Sequence, residues 1–329
     1  MIVRFATDAG DVTLFVLAAI ALVPLAWLIG EATEHAARHT GPGIGGFLNA
    51  TFGNAPELII ALFAINDGLF EVVRGSLTGS VVGNLLLVLG FSLVVGPTKE
   101  IDRSSGLISI GLVFLSVLLF MIVAVPGWSG DIERHSLQVL SIPVSAALLV
   151  VYVAVTWRQL RRHRAMHASA DPDLEAWPLS ATLAVLSAAT AATAIVAEIL
   201  VGSIETFAEK AHLSDFFVAA VIIAIVGNAA EHGGAVIVAH RGRVKLATEI
   251  ALSSSAQVAV FLIPAVAVIS WALNPLALAF RQVEIAIMGG SAILAAVLLA
   301  RGRSSSWRGV VLVVAYACAA AVFYKAGGR

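Results

Sequence analysis

What most limits the fold of this chain is the length of its apolar runs. Ten can be marked, at 12–37, 43–66, 70–96, 106–126, 135–157, 177–205, 214–240, 246–271, 275–300 and 308–325. A helix needs about 20 apolar residues to cross a bilayer, and these runs lack the alternation of a barrel strand. Composition agrees: 59% of residues are hydrophobic and 12% charged, against about 45–50% and about 25% in soluble domains. The expected fold class is an all-α integral membrane protein with ten transmembrane helices. The net charge of -1 gives no electrostatic footprint for a nucleic acid. The single cysteine, Cys318, excludes a disulfide within the chain. The opening MIVRFATDAGDVT carries two aspartates and no small-residue cleavage site, so residues from about 12 read as a retained span rather than a signal peptide.

The most hydrophilic connection, 157–177, divides these runs into two sets of five and carries Arg158, Arg161, Arg162 and Arg164. The positive-inside rule places it in the cytoplasm. With ten spans, the same side then holds Arg38; Lys99 and Arg103; Arg241, Arg243 and Lys245; and Arg301, Arg303 and Arg308. Both termini are expected outside, in a plasma (inner) membrane. The expected organisation is a first five-helix repeat at 1–157, a cytoplasmic linker at 158–176 and a second five-helix repeat at 177–329.

Two segments repeat each other. GNAPELIIALFAI starts at Gly53 and GNAAEHGGAVIVA at Gly227, 174 residues later. They fall in the second and seventh spans. Five spans apart, the copies cross the membrane in opposite directions, as in the inverted repeats of secondary transporters. Asn54 and Glu57, and likewise Asn228 and Glu231, share a helix face at a spacing of three. Pro56 has no N–H for the carbonyl of Phe52, so freed carbonyls are expected near Gly53; the second copy has no proline, and its bend is a weaker expectation. A carboxylate at the bilayer centre costs about 2.5–3.5 kcal/mol on insertion scales. Two of them call for a compensating partner, and a hard cation fits: calcium takes six to eight oxygen ligands from carboxylates, amides, backbone and water. The following spans add matching pairs, Ser80 with Asn84 and Ser253 with Gln257, each four apart. The competing reading of Asn54, Asn84, Asn228 and Gln257 is ordinary interhelical hydrogen bonding, and of Ser80 and Ser253 simple packing.

The stretches GGFLNATFGNAPELIIALFAI, GSVVGNLLLVLGFSLVVG and VGNAAEHGGAVIVAH resemble the signature repeats of the calcium/proton exchanger family, within the cation/calcium exchanger superfamily. The resemblance covers both halves. It implies ten spans in two inverted five-helix repeats and a transporter exchanging Ca²⁺ for H⁺. In it Glu57 and Glu231 bind the cation or protons, assisted by Gly53, Asn54, Ser80, Asn84, Gly227, Asn228, Ser253 and Gln257. Sodium-coupled relatives carry a further aspartate where this chain has Gln257, which favours protons as the counter-ion. The alternative is a monovalent cation (Na⁺ or K⁺)/proton antiporter. Two departures are an acidic linker helix reduced to Asp171, Asp173 and Glu175, and no extra N-terminal span.

No HExxH and no nucleophile–base constellation is present in the sequence, so no enzyme is expected. No cofactor is expected either; Ca²⁺ and H⁺ are substrates, the bilayer is the surrounding partner, and a homo-oligomer is compatible with such a chain. Glu31, Glu34, His35 and Arg38, and similarly Glu205 and Glu209, are read as hydrated helix ends rather than as a cation vestibule. His232 follows Glu231 and is expected to point elsewhere.

Overall fold

The computed structural model describes residues 10–166 and 177–327. The linker acids Asp171, Asp173 and Glu175 lie outside the described residues. In chain order the helices are α1 (Asp11–Phe52), α2 (Ala55–Asn66), α3 (Phe70–Val95), α4 (Arg103–Gly127), α5 (His135–Met166), α6 (Leu179–Gly202), α7 (Ile204–Lys210), α8 (Asp215–Gly227), α9 (Ala229–His240), α10 (Val244–Ala272), α11 (Gln282–Leu299) and α12 (Ser306–Gly327). Among the described residues the only β feature is one isolated bridge, Glu100 to Arg303. Eight of these helices are long and apolar enough to span a membrane, or nine if the pair α7 and α8, bent by 110°, is one span.

Burial separates the helices as polarity suggests. Of the long apolar helices α3 and α10 are the most deeply buried, whereas α12 lies largely at the surface of the protein. These two central helices carry the buried polar residues Ser80, Asn84, Ser254 and Ser255. At Gly79 of α3 a Cβ would stand 2.0 Å from the Ala220 carbonyl oxygen of α8, so only glycine permits this approach. Along the other wall, α1 packs against α6. At the N-cap of α4, the Asp102 carboxylate accepts hydrogen bonds from the Ser104 hydroxyl at 2.7 Å and the Ser105 amide at 3.2 Å, which hold it below the usual carboxylate range.

The repeat in sequence is also a repeat in local structure. α2 and α9 begin directly after Asn54 and Asn228, and their boundaries differ by the same 174 residues as the motifs. Asn54 (φ -101°, ψ 17°) and Asn228 (φ -92°, ψ 10°) hold nearly the same backbone conformation. Gly68 and Gly242 then make matching left-handed turns, φ 75° and 81°, open to glycine without steric cost. Both α3 and α10 widen into π-helix, at Gly83–Val88 and Val258–Leu262, a distortion frequent at functional sites.

Three expectations need correction. α1 runs unbroken through 38–43, where a loop between the first two spans was expected; Gly41, Pro42 and Gly43 lie in a stretch that tolerates a kink. The second copy of the motif breaks its helix at Asn228 just as the first does at Gly53 and Asn54, so proline is not the cause of the interruption. The ninth run, expected from 275, becomes helical only at Gln282. Residues 276–280 are buried without helical structure. Side chains from elsewhere satisfy their backbone: Leu276 N–H donates to Ser270 Oγ (2.9 Å), Ala277 N–H to Glu133 (3.2 Å) and Leu278 N–H to Ser141 Oγ (2.9 Å), and Trp128 donates to the Phe280 carbonyl (3.1 Å). A buried backbone needs every polar group paired, but it does not need a helix when distant side chains do the pairing.

Candidate cation-binding site

Each signature glutamate occupies the third position of a short helix, Glu57 in α2 and Glu231 in α9. The unpaired amides of a helix N-terminus favour negative charge there. Each helix follows an interruption, so the preceding half-helix ends nearby with carbonyls that lack intrahelical partners. The same bond closes both first turns, Leu58 N–H to Asn54 O (3.0 Å) and His232 N–H to Asn228 O (2.9 Å).

The fold brings the two halves together at this point. A Cβ on Gly227 would lie 3.3 Å from Glu57 Cγ, so the glycine of the second motif packs against the acid of the first. Gly53, Gly227 and Glu231 line one cavity of about 170 Å³. Gly227 is four residues before Glu231, so Glu57 packs against the segment that carries the second acid. Asn54, Glu57, Ser80, Asn84 and Asn228 are all buried.

Hydrogen bonds tie the motifs to the central helices. Asn228 Nδ2 donates to Ser80 Oγ and to the Ala224 carbonyl, both at 2.9 Å. Asn84 Nδ2 donates to Ser254 Oγ at 3.0 Å, and Ser254 in turn donates to Glu231. Ser255 Oγ donates to the Val81 carbonyl at 3.1 Å, fixing the crossing of α3 and α10. In both asparagines the amide nitrogen is used and the oxygen is left over. The buried Oδ1 atoms of Asn84 and Asn228 and Oε2 of Glu57 have no hydrogen-bond partner. Buried polar atoms are rarely left so; amide oxygens and an ionised carboxylate only accept. The set suits a hard cation that binds oxygen. Among the described residues no group of three or more His, Cys, Asp or Glu could hold a metal ion, so a cation here must use amide, hydroxyl, backbone or water oxygens beside the two carboxylates.

Two expected members stand apart. Ser253 is exposed, and its hydroxyl bonds to Ile250 O of its own helix at 3.1 Å; Ser254 holds the place assigned to it. Matching the spacing of four within Ser80/Asn84 and Ser253/Gln257 conceals this. The constant offset of 174 that relates Asn54 to Asn228 relates Ser80 to Ser254, and it would have found the right residue. Gln257 is half-buried where α10 loosens into its π segment, and no hydrogen bond joins it to the others. Ser254→Ala is therefore expected to weaken cation affinity about fivefold, in line with loss of a hydrogen bond to a charged group, whereas Ser253→Ala leaves it unchanged. Isothermal titration of both variants checks this.

The helix-end reading of Glu31 and Glu34 also changes, because both line the cavity that reaches Glu231. Glu34 additionally pairs with Arg38 at 2.7 Å. The Nε2 of His232 is buried without a hydrogen-bond partner, and its ring lies near Gly83.

Comparison with known proteins agrees with this geometry. Residues 11–161 and 181–325 match the sodium/calcium exchanger protein family. The chain is 37% identical to the Ca(2+)/H(+) antiporter ChaA of Bacillus subtilis over 327 residues, covering 94% of this chain and 92% of the relative. It is 34% identical to a Ca(2+)/H(+) antiporter of Synechocystis sp. over 350 residues, covering 96% and 91%. The solved structure of native YfkE superposes with a TM-score of 0.84 at 33% identity, over 98% of this chain and 95% of that one. The resemblance first carried by GNAPE and GNAAEH thus extends along nearly the whole sequence, and the chain belongs to the sodium/calcium exchanger protein family.

Proposed function

We propose that this protein is a secondary active transporter that exchanges Ca²⁺ for H⁺ by alternating access. One observation carries the reading: Glu57 of one half packs against Gly227, four residues before Glu231 of the other half, and the buried amide oxygens of Asn84 and Asn228 have no partner. Two carboxylates match the charge of one Ca²⁺, and the spare oxygens help to complete its shell of six to eight. When both glutamates carry protons their attraction for calcium is gone, so one Ca²⁺ and two H⁺ are electrically equivalent loads. Ser254 donates to Glu231 and orients it. The Ca²⁺/H⁺ antiporter names of the B. subtilis and Synechocystis relatives support this reading.

The proposed topology is ten spans in two inverted five-helix repeats. It counts the eight long helices, α1 only as far as Thr40, together with two interrupted spans, residues 43–66 and 214–240. Both termini are outside, the linker is cytoplasmic and the membrane is the plasma (inner) membrane. On that orientation the cavity runs along α1 from Ala26 to Glu34 and faces the cytoplasm. Glu31 and Glu34 form its acidic mouth and raise the local concentration of cations.

The test is Ca²⁺ uptake into liposomes driven by a pH gradient, with Na⁺, K⁺ and Mn²⁺ as competitors. Uptake is expected to follow ΔpH and to ignore a sodium gradient. Calcium movement that tracked sodium and disregarded pH would overturn proton coupling. Proton-coupled Na⁺ or K⁺ movement without Ca²⁺ would replace calcium by a monovalent cation.

A further inference from the structure

The mouth of the cavity is joined to the start of the second half by a histidine. Trp177 is the first described residue after the linker and directly precedes Pro178, the N-cap of α6. Both of its backbone polar groups lie outside the helix and are met by side chains of α1. Its N–H donates to His35 Nδ1 at 3.2 Å, and its carbonyl lies 2.7 Å from His39 Nε2. The His35 ring also stacks on the Trp177 indole, with centroids 4.3 Å apart and planes at 15°. His35 and His39 are four apart and share a helix face.

These bonds assign the tautomers. A backbone N–H only donates, so His35 Nδ1 holds a lone pair and a neutral His35 carries its proton on Nε2. That Nε2 faces Glu31 Oε1 at 3.5 Å. His35 is buried, whereas the Glu31 side chain is 43% exposed and lines the cavity that reaches Glu231. A carboxylate that exposed samples several rotamers unless a fixed group holds it, and the ring braced on Trp177 is such a group.

We propose that His35 is a positioning residue for cation capture: braced by Trp177, it holds Glu31 at the mouth of the cavity, so the chain leaving the linker sets the geometry of the mouth. This rests on the cavity at Glu231 being the cation path. Capture, not turnover, is the step affected, because His35 lines neither the cavity nor the paired-glutamate site.

The test is a double-mutant cycle on the KM for Ca²⁺ offered on the face carrying Glu31, in ΔpH-driven flux by the full chain. His35→Asn keeps an acceptor for Trp177 N–H and removes the group facing Glu31. Alone it is expected to raise KM about fivefold, a factor typical of losing one weak polar contact, with kcat within twofold. In a Glu31→Gln background the same change is expected to leave KM where Glu31→Gln alone puts it. His35→Ala, which loses both links, should behave like His35→Asn or worse. Independent effects of His35→Asn and Glu31→Gln on KM, or a fall in kcat at unchanged KM, would overturn the proposal and leave His35 a structural clasp. Glu231→Gln is run alongside. Full flux in that variant would instead overturn the cation path itself, and this inference with it.

Discussion

Glu57→Gln and Glu231→Gln are each expected to reduce ΔpH-driven Ca²⁺ flux to background. Unit charges about 4 Å apart interact by about 4 kcal/mol at an effective dielectric of about 20. That corresponds to roughly a 1,000-fold change in affinity, and the effect is at least as large for a divalent ion. Glutamine keeps the oxygen and the shape but neither binds charge nor releases a proton, so coupling is lost together with affinity. The two variants should fail alike, because the proposed site takes one carboxylate from each half and Gly227 of one motif packs against Glu57 of the other. Both should still fold: the amide is close to isosteric, and in Glu231→Gln it can still accept from Ser254. Proteoliposome flux and equilibrium calcium binding, measured on protein that passes gel filtration as a single species, decide the matter. Full calcium flux in either variant would remove that glutamate from the site.

Arg74→Met is expected to cost about 3–5 kcal/mol of stability, the usual result of removing one member of a buried ion pair. Arg74 lies in α3, 2% exposed, six residues before Ser80. It pairs with Glu133 and reaches the Ala277 carbonyl at 3.5 Å, while Glu133 accepts the Ala277 N–H at 3.2 Å. One turn further along α3, Thr78 donates to Glu284 at 3.0 Å, and Glu284 accepts the Arg281 N–H at 2.7 Å. Arg281 closes the network on Glu71. These bonds hold α3, the segment 276–280 and the start of α11 in one register. At the equivalent positions of the second half stand Lys245, Thr248 and Leu252, so the network belongs to one half only. Adding Glu133→Gln to Arg74→Met should recover most of the loss. It removes the unpaired buried charge while keeping an acceptor for Ala277 N–H. Thermal unfolding in detergent and the yield from membranes measure both. Wild-type melting of Arg74→Met, or a double variant no better than the single, would show that the pair does not hold this end of α3.

Much of the site was legible because it is written twice. Asn54 with Glu57 and Asn228 with Glu231 are apolar-run outliers at one spacing in two copies, and no packing requirement alone repeats an intramembrane acid. Local spacing failed where helix rotation matters. Ser253, Ser254 and Ser255 are equivalent by composition, yet about 100° separates neighbours around a helix of 3.6 residues per turn. Only Ser254 donates to Glu231, while Ser253 faces outward and Ser255 bonds α3. The acids of α1 were misjudged for a related reason. Glu31 and Glu34 look like any charged helix end until α9 is seen to pack beside α1 and carry Glu231 to the same cavity.

The sequence by itself determined that the chain crosses a membrane as helices, that one motif recurs 174 residues later, and which two carboxylates that motif carries. Each of those is a property of composition or spacing along the chain, set by the thickness of the bilayer and the cost of burying charge. Only the tertiary structure decided that 276–280 is not helical, that Ser254 rather than Ser253 serves Glu231, that three buried oxygens are left without partners, and that His35 and Trp177 clasp the two halves at the mouth. Most of those depend on pairings between residues far apart in the chain, such as Ser254 with Glu231, Trp177 with His35 and Ala277 with Glu133, and no local pattern encodes which distant side chain will satisfy a given polar group.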